Sequence, residues 1–66
     1  MLLNRTHRGL LDDLRVGSRG KKGLPLQHFD SFPHKIRAAK DLLWLAIIYW
    51  DDGILLVDEQ AAKAAA

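Results

Sequence analysis

The order of hydrophobic and polar positions divides this chain into three parts. Between residues 2 and 16, Leu3, Leu10, Leu11 and Leu14 recur at spacings of three, four and seven, the period of one face of an amphipathic helix. Thr6 is placed to cap its regular part and Gly17 to end it. Residues 17–33 carry no period. Three glycines and two prolines interrupt them, which predicts a long loop. Leu24, Leu26, Phe29 and Phe32 punctuate that loop as hydrophobic positions suited to docking on a neighbouring surface.

From His34 the composition turns helical again, with Asp30 or Ser31 as cap and Pro33 in the first turn. This segment leads into residues 42–57, where thirteen of sixteen residues are apolar or aromatic. Asp51-Asp52-Gly53 is the one interruption. Two readings compete. In the first, a single apolar helix spans 34–60, because Arg37, Asp41, Asp52 and Glu59 then fall on one polar stripe. In the second, residues 47–57 form a β-hairpin about an Asp-Gly turn, in keeping with their β-branched and aromatic content. The helical reading predicts a mainly α fold: a short N-terminal helix over 2–16, a basic loop over 17–33, an apolar helix over 34–60 and an alanine-rich tail over 61–66. The alternative is α+β, a helix followed by a hairpin at 47–57. Either way the chain is a single small domain or subunit.

Length sharpens the meaning of the apolar run. A chain of 66 residues buries only about 60% of the surface its unfolded form exposes, and such domains usually need a disulfide, a metal or a partner. There is no cysteine, which removes disulfides and thiolate zinc sites and is compatible with a reducing compartment. An apolar helix greasy around most of its girth, beside one short leucine-bearing helix, calls for cover from other chains. The expected anchors are Leu43, Trp44, Ile47, Tyr49, Trp50, Ile54 and Leu55, with Asp51 and Asp52 pairing to basic groups of the partner.

Charge adds a second surface. Residues 1–40 hold nine lysines and arginines against three aspartates, a formal +6, whereas residues 41–66 carry −4. Arg15, Arg19, Lys21 and Lys22 are the candidates for contact with phosphate or an acidic surface, and nucleic acid is a possible partner of residues 5–22. Gly17-Ser18-Arg19-Gly20-Lys21-Lys22-Gly23 is no Walker A loop, because the required glycine spacing and the Ser/Thr after lysine are missing.

The remaining chemistry is sparse. His7, His28 and His34 lack the tight spacing of a zinc site, so no metal is expected. The adjacent acids Asp12-Asp13, Asp51-Asp52 and Asp58-Glu59 diverge on a helix and do not face each other across a substrate. No hydroxyl stands in a triad context, so neither a catalytic residue nor a cofactor is expected. A membrane span would place two aspartates near the bilayer centre, each costing about 2.5–3.5 kcal/mol. A membrane surface suits the tryptophans and Lys35, Arg37 and Lys40 better, but the acidic residues on the wet face make it the weaker partner. There is no secretory signal core, and the compartment stays open. The expected role is a small, non-catalytic structural or accessory subunit that packs its apolar helix into a larger assembly. A nucleic-acid-associated protein and a homo-oligomeric interaction module are the alternatives.

Overall fold

In the computed structural model, which describes residues 2–65, the first helix, α1, spans Arg5–Val16. It begins two residues earlier than a cap at Thr6 implies. Asn4 is the cap: its side chain accepts the His7 N–H at 2.9 Å, and the His7 ring accepts the Asn4 N–H at 3.1 Å. Histidine thus takes the role that Glu or Gln plays in the usual capping box. Gly17 ends the helix as expected, donating its N–H to the Asp13 carbonyl. Leu10, Leu11 and Leu14 are buried, as their spacing predicted.

The segment after α1 is more ordered than its glycines suggest. Ser18 and Lys21 exchange two backbone hydrogen bonds at 2.9 Å each, around Arg19 and Gly20, both at positive φ. Two consecutive residues of that kind make a type I′ turn. The Gly23 N–H then donates to the Leu14 carbonyl at 2.7 Å, occupying an orphan acceptor of the helix end. Leu24 pairs with Leu55 through bonds of 3.2 and 2.8 Å. A 3-10 turn at Leu26–Phe29 buries Phe29. Leu24 and Phe29 therefore belong to this chain's own core, and the expectation that they dock elsewhere is corrected.

Helix α2 spans Pro33–Trp44 with proline in its first turn. Neither Asp30 nor Ser31 caps it; the N-cap is Phe32, whose carbonyl accepts from Lys35 and Ile36. Ala38, Ala39 and Leu42 are its buried residues, and α2 packs against α1. The helix then stops. Ala46 sits at φ 58°, the Ile47 N–H donates to the Leu42 carbonyl at 2.9 Å and the Ala46 N–H to the Leu43 carbonyl at 3.0 Å. This is a Schellman motif with alanine where glycine is usual. Its hydrophobic pair, Leu42 and Ile47, is buried.

Strands β1 (Ile48–Asp51) and β2 (Ile54–Val57) follow, antiparallel, with Ile48 opposite Val57 and Trp50 opposite Leu55. Asp52 and Gly53 join them at φ 54° and 78°, a second type I′ turn. A last helix, α3, covers Glu59–Ala65, capped by Asp58 Oδ1, which accepts from the Gln60 and Ala61 N–H groups. The fold is α+β, three helices and one hairpin. The helix expected over 34–60 is corrected: α2 accounts for its first eleven residues, and the rest is the helix stop, the hairpin and the start of α3. The polar stripe that supported the long helix does not exist, since Asp41 turns to His7 and Glu59 to Arg15. The tail expected over 61–66 is the body of α3 as far as Ala65, and Ala66 lies outside the described residues.

The hairpin adds two residues to the core. Ile48, Trp50, Leu55 and Val57 share one face, because residues opposite each other and those two apart point the same way. Ile48 and Leu55 on this face, with Ile47 before it, are fully buried against Leu10, Leu14, Phe29 and Leu42.

Candidate functional site

The aromatic residues of the apolar run did not follow its aliphatic ones inward. Trp44, in the last turn of α2, is 86% exposed; Tyr49 and Trp50, on β1, are 46% and 50% exposed. Each large side chain left in water forgoes about 1.5–3 kcal/mol of burial. A core already filled by leucine, isoleucine and phenylalanine leaves no internal place for them.

The backbone beside them is partly open as well. Leu55 spends its N–H and C=O on Leu24. Its partner Trp50 therefore sits at a non-hydrogen-bonded position of the β1–β2 ladder and turns its own N–H and C=O to the free edge. Ile48 has the same outward orientation, but only 1% of it is exposed. The accessible stretch of edge is thus centred on Trp50. Next to it lies a cleft of about 380 Å³ lined by Leu26, Gln27, Asp30, Trp50 and Gly53. It is formed where the 3-10 turn meets the tip of the hairpin.

The residues singled out as partner anchors separate into two groups. Trp44, Tyr49, Trp50, Asp51 and Asp52 are exposed. Ile47 and Leu55 are buried in the chain's own core, and Leu43 and Ile54 are half-buried, Leu43 packing against that core. The basic candidates also separate. Arg19, Lys21 and Lys22 are exposed on and beside the first type I′ turn. Arg15 is engaged within the fold. Its guanidinium donates to Glu59 from Nε at 2.9 Å and from Nη2 at 2.9 Å, and to Asp12 from Nη1 at 3.0 Å. The bonds to Glu59, ahead of the other contributions, hold Arg15 above its ordinary value and Glu59 below the usual carboxylate range. Arg15 ties α1 to α3.

One histidine has a role that its spacing from the other two did not reveal. His7 is buried, and its Nε2 lies 3.0 Å from Asp41 Oδ2. Because Nδ1 accepts the Asn4 N–H, the ring proton resides on Nε2 and is donated to Asp41. Both ring nitrogens are occupied, so this pair joins α1 to α2 and has no free base. The sequence signal was Asn4-x-x-His7, a capping-box spacing with an unusual last residue. Among the described residues, no group of three or more metal-ligating side chains comes together, and no helix is long and apolar enough to cross a membrane. A groove of about 490 Å³ between α1 and α3 is walled mainly by Leu2, Leu3, Leu11, Ala62 and Ala65.

Set against family models, curated proteins and solved structures, the chain matches none.

Proposed function

We propose that this chain is a small, non-catalytic interaction subunit that docks into a larger assembly through Trp44, Tyr49 and Trp50. The observation that carries this reading is the exposure of all three aromatics on a chain whose aliphatic core is complete. Tryptophan and tyrosine are the residue types most enriched at the energetic centres of protein interfaces. The outward N–H and C=O of Trp50 add the means to pair with an extended segment. The docking element is the hairpin edge and the end of α2, instead of one apolar helix.

A photo-cross-linking amino acid at position 44 or 49, in the cells that make the protein, tests this. Adducts of the same few proteins are expected from both positions, lost with Trp50→Ala and absent when the group is placed at Lys63 on α3. Adducts that ignore position and survive Trp50→Ala would sink the proposal.

A second reading, association with nucleic acid, draws on one observation. None of the three ion pairs among the described residues uses Arg19, Lys21 or Lys22. Binding of that kind weakens steeply as salt rises and depends on those three side chains. Unchanged affinity for duplex DNA and RNA after their replacement by alanine removes it.

A further inference from the structure

The acidic residues of the chain are unevenly employed. Asp12, Asp13 and Glu59 are held in ion pairs with Arg15 and Lys35, and Asp41 accepts from His7. Asp58 caps α3. The three left over, Asp30, Asp51 and Asp52, are exposed and enter no ion pair among the described residues. Asp30 lines a cleft together with Trp50 and Gly53; Asp51 and Asp52 belong to the adjoining hairpin tip, with Asp51 on the strand face opposite to Trp50. In a chain of net charge +2 this is a local reversal of sign.

The walls of the cleft add shape and chemistry to that charge. Trp50 contributes a half-exposed indole, Leu26 an apolar surface, Gln27 an amide and Asp30 a carboxylate; no lysine or arginine lines it. A guanidinium group suits all four. Its plane stacks on an aromatic face, its N–H fork matches a carboxylate, and its methylene stem lies on apolar surface. The outward N–H and C=O of Trp50 stand beside the cleft, where the backbone bearing such a side chain would run.

We infer that the cleft between the 3-10 turn and the hairpin tip receives an arginine side chain from an extended segment of a partner protein. The inference rests on the docking reading above and narrows it to a cationic anchor. A solvent-filled depression with incidental aspartates would be indifferent to charge on the incoming side chain. The cleft assigned here is selective for it.

Two synthetic peptides separate these cases: acetyl-Thr-Val-Arg-Val-Thr-amide and its twin with citrulline, which keeps the shape of arginine without its charge. Each is titrated into the isotope-labelled full chain and followed by NMR. The arginine peptide is expected to move the Trp50 indole N–H and the amides of Gln27, Asp30 and Gly53. It should bind about tenfold more tightly than the citrulline twin, the scale of one charge-assisted hydrogen bond with a cation–π contact. Asp30→Asn should erase most of that ratio without changing the thermal midpoint, because the Asp30 side chain makes no hydrogen bond or ion pair among the described residues. Equal affinities, shifts mapped elsewhere, a ratio untouched by Asp30→Asn, or no shift at about 10 mM peptide, a concentration that registers even millimolar binding, each overturns the inference. Equal affinities that both fall with Trp50→Ala leave docking standing and remove only the cation. Cross-linking unaffected by Trp50→Ala removes docking itself.

Discussion

The imidazole of His7 donates from Nε2 to Asp41 across the α1–α2 interface at 3.0 Å, while its Nδ1 accepts the Asn4 N–H. One buried ring therefore caps a helix and pins a second one to it. His7→Ala removes the cap contact, the interhelical bond and a buried ring together, and is expected to cost about 2–4 kcal/mol. Asp41→Ala should cost less, about 1–3 kcal/mol, for leaving the buried Nε2–H of His7 without its acceptor. Urea unfolding of the two variants checks the order; equal losses contradict it.

Ala46 bears a backbone conformation that L-residues adopt at a penalty of about 1–2 kcal/mol. Ala46→Gly relieves it at some expense in unfolded-state entropy, so a net gain of about 0.5–1 kcal/mol is expected. The midpoint in urea should rise with an unchanged slope.

Gly23 is the opposite case. It is buried at φ 92°, and an added Cβ would lie 2.8 Å from the Leu55 carbonyl oxygen and closer still to the side chains of Ile54 and Leu56. Gly23→Ala should destabilise by about 2–4 kcal/mol through strain at the Leu24–Leu55 pairing. Amide exchange would report it as loss of protection at Leu24 and Leu55.

The Arg15–Glu59 pair sets an acid limb of stability. The carboxyl of Glu59 titrates lower in the fold than when unfolded. Its contribution is therefore present above the ordinary carboxylate range and is lost as pH falls through the depressed folded value. Glu59→Gln should flatten that limb, and salt should shrink the difference between variant and parent, because both side chains are solvent-exposed to a large extent. Arg15, held upward, titrates only at extreme alkaline pH.

The aromatics and the aliphatics of the hairpin should respond differently. Trp44→Ala is expected to change stability by less than about 0.5 kcal/mol, whereas Leu55→Ala should cost about 2–5 kcal/mol. Thermal unfolding of both variants distinguishes surface from core.

Which parts of this were readable from residue order has a physical logic. The α1 face was legible because Leu10, Leu11 and Leu14 fall at helical spacing on one side of it, with Leu3 in phase just ahead of its first turn. The hairpin was half-legible. Asp52-Gly53 is a strong turn signal, yet Arg37, Asp41, Asp52 and Glu59 happen to align on a helical stripe, and only tertiary pairing breaks the tie. The helix stop at Ala46 was hidden, because alanine is the best helix former and nothing local marks it for the left-handed region. Leu24 and Phe29 looked like loop residues, since a one-residue pairing and a short 3-10 turn have no period to detect. Of the candidate site, residue type pointed to Trp44, Tyr49 and Trp50. The role of Asp30 was invisible, because it meets Trp50 only through the fold.

The pairing of Leu24 with Leu55 has a consequence for how this protein grows into anything larger. A sheet open on both sides can recruit neighbours without limit, in the manner of a filament. Here Leu24 of the same chain occupies the outward N–H and C=O of Leu55 on β2, and on the near side Ile48 is covered, leaving a short opening about Trp50. A strand docking there, as proposed above, would find backbone to pair with over only a short length, so that side chains must supply the rest of its contacts.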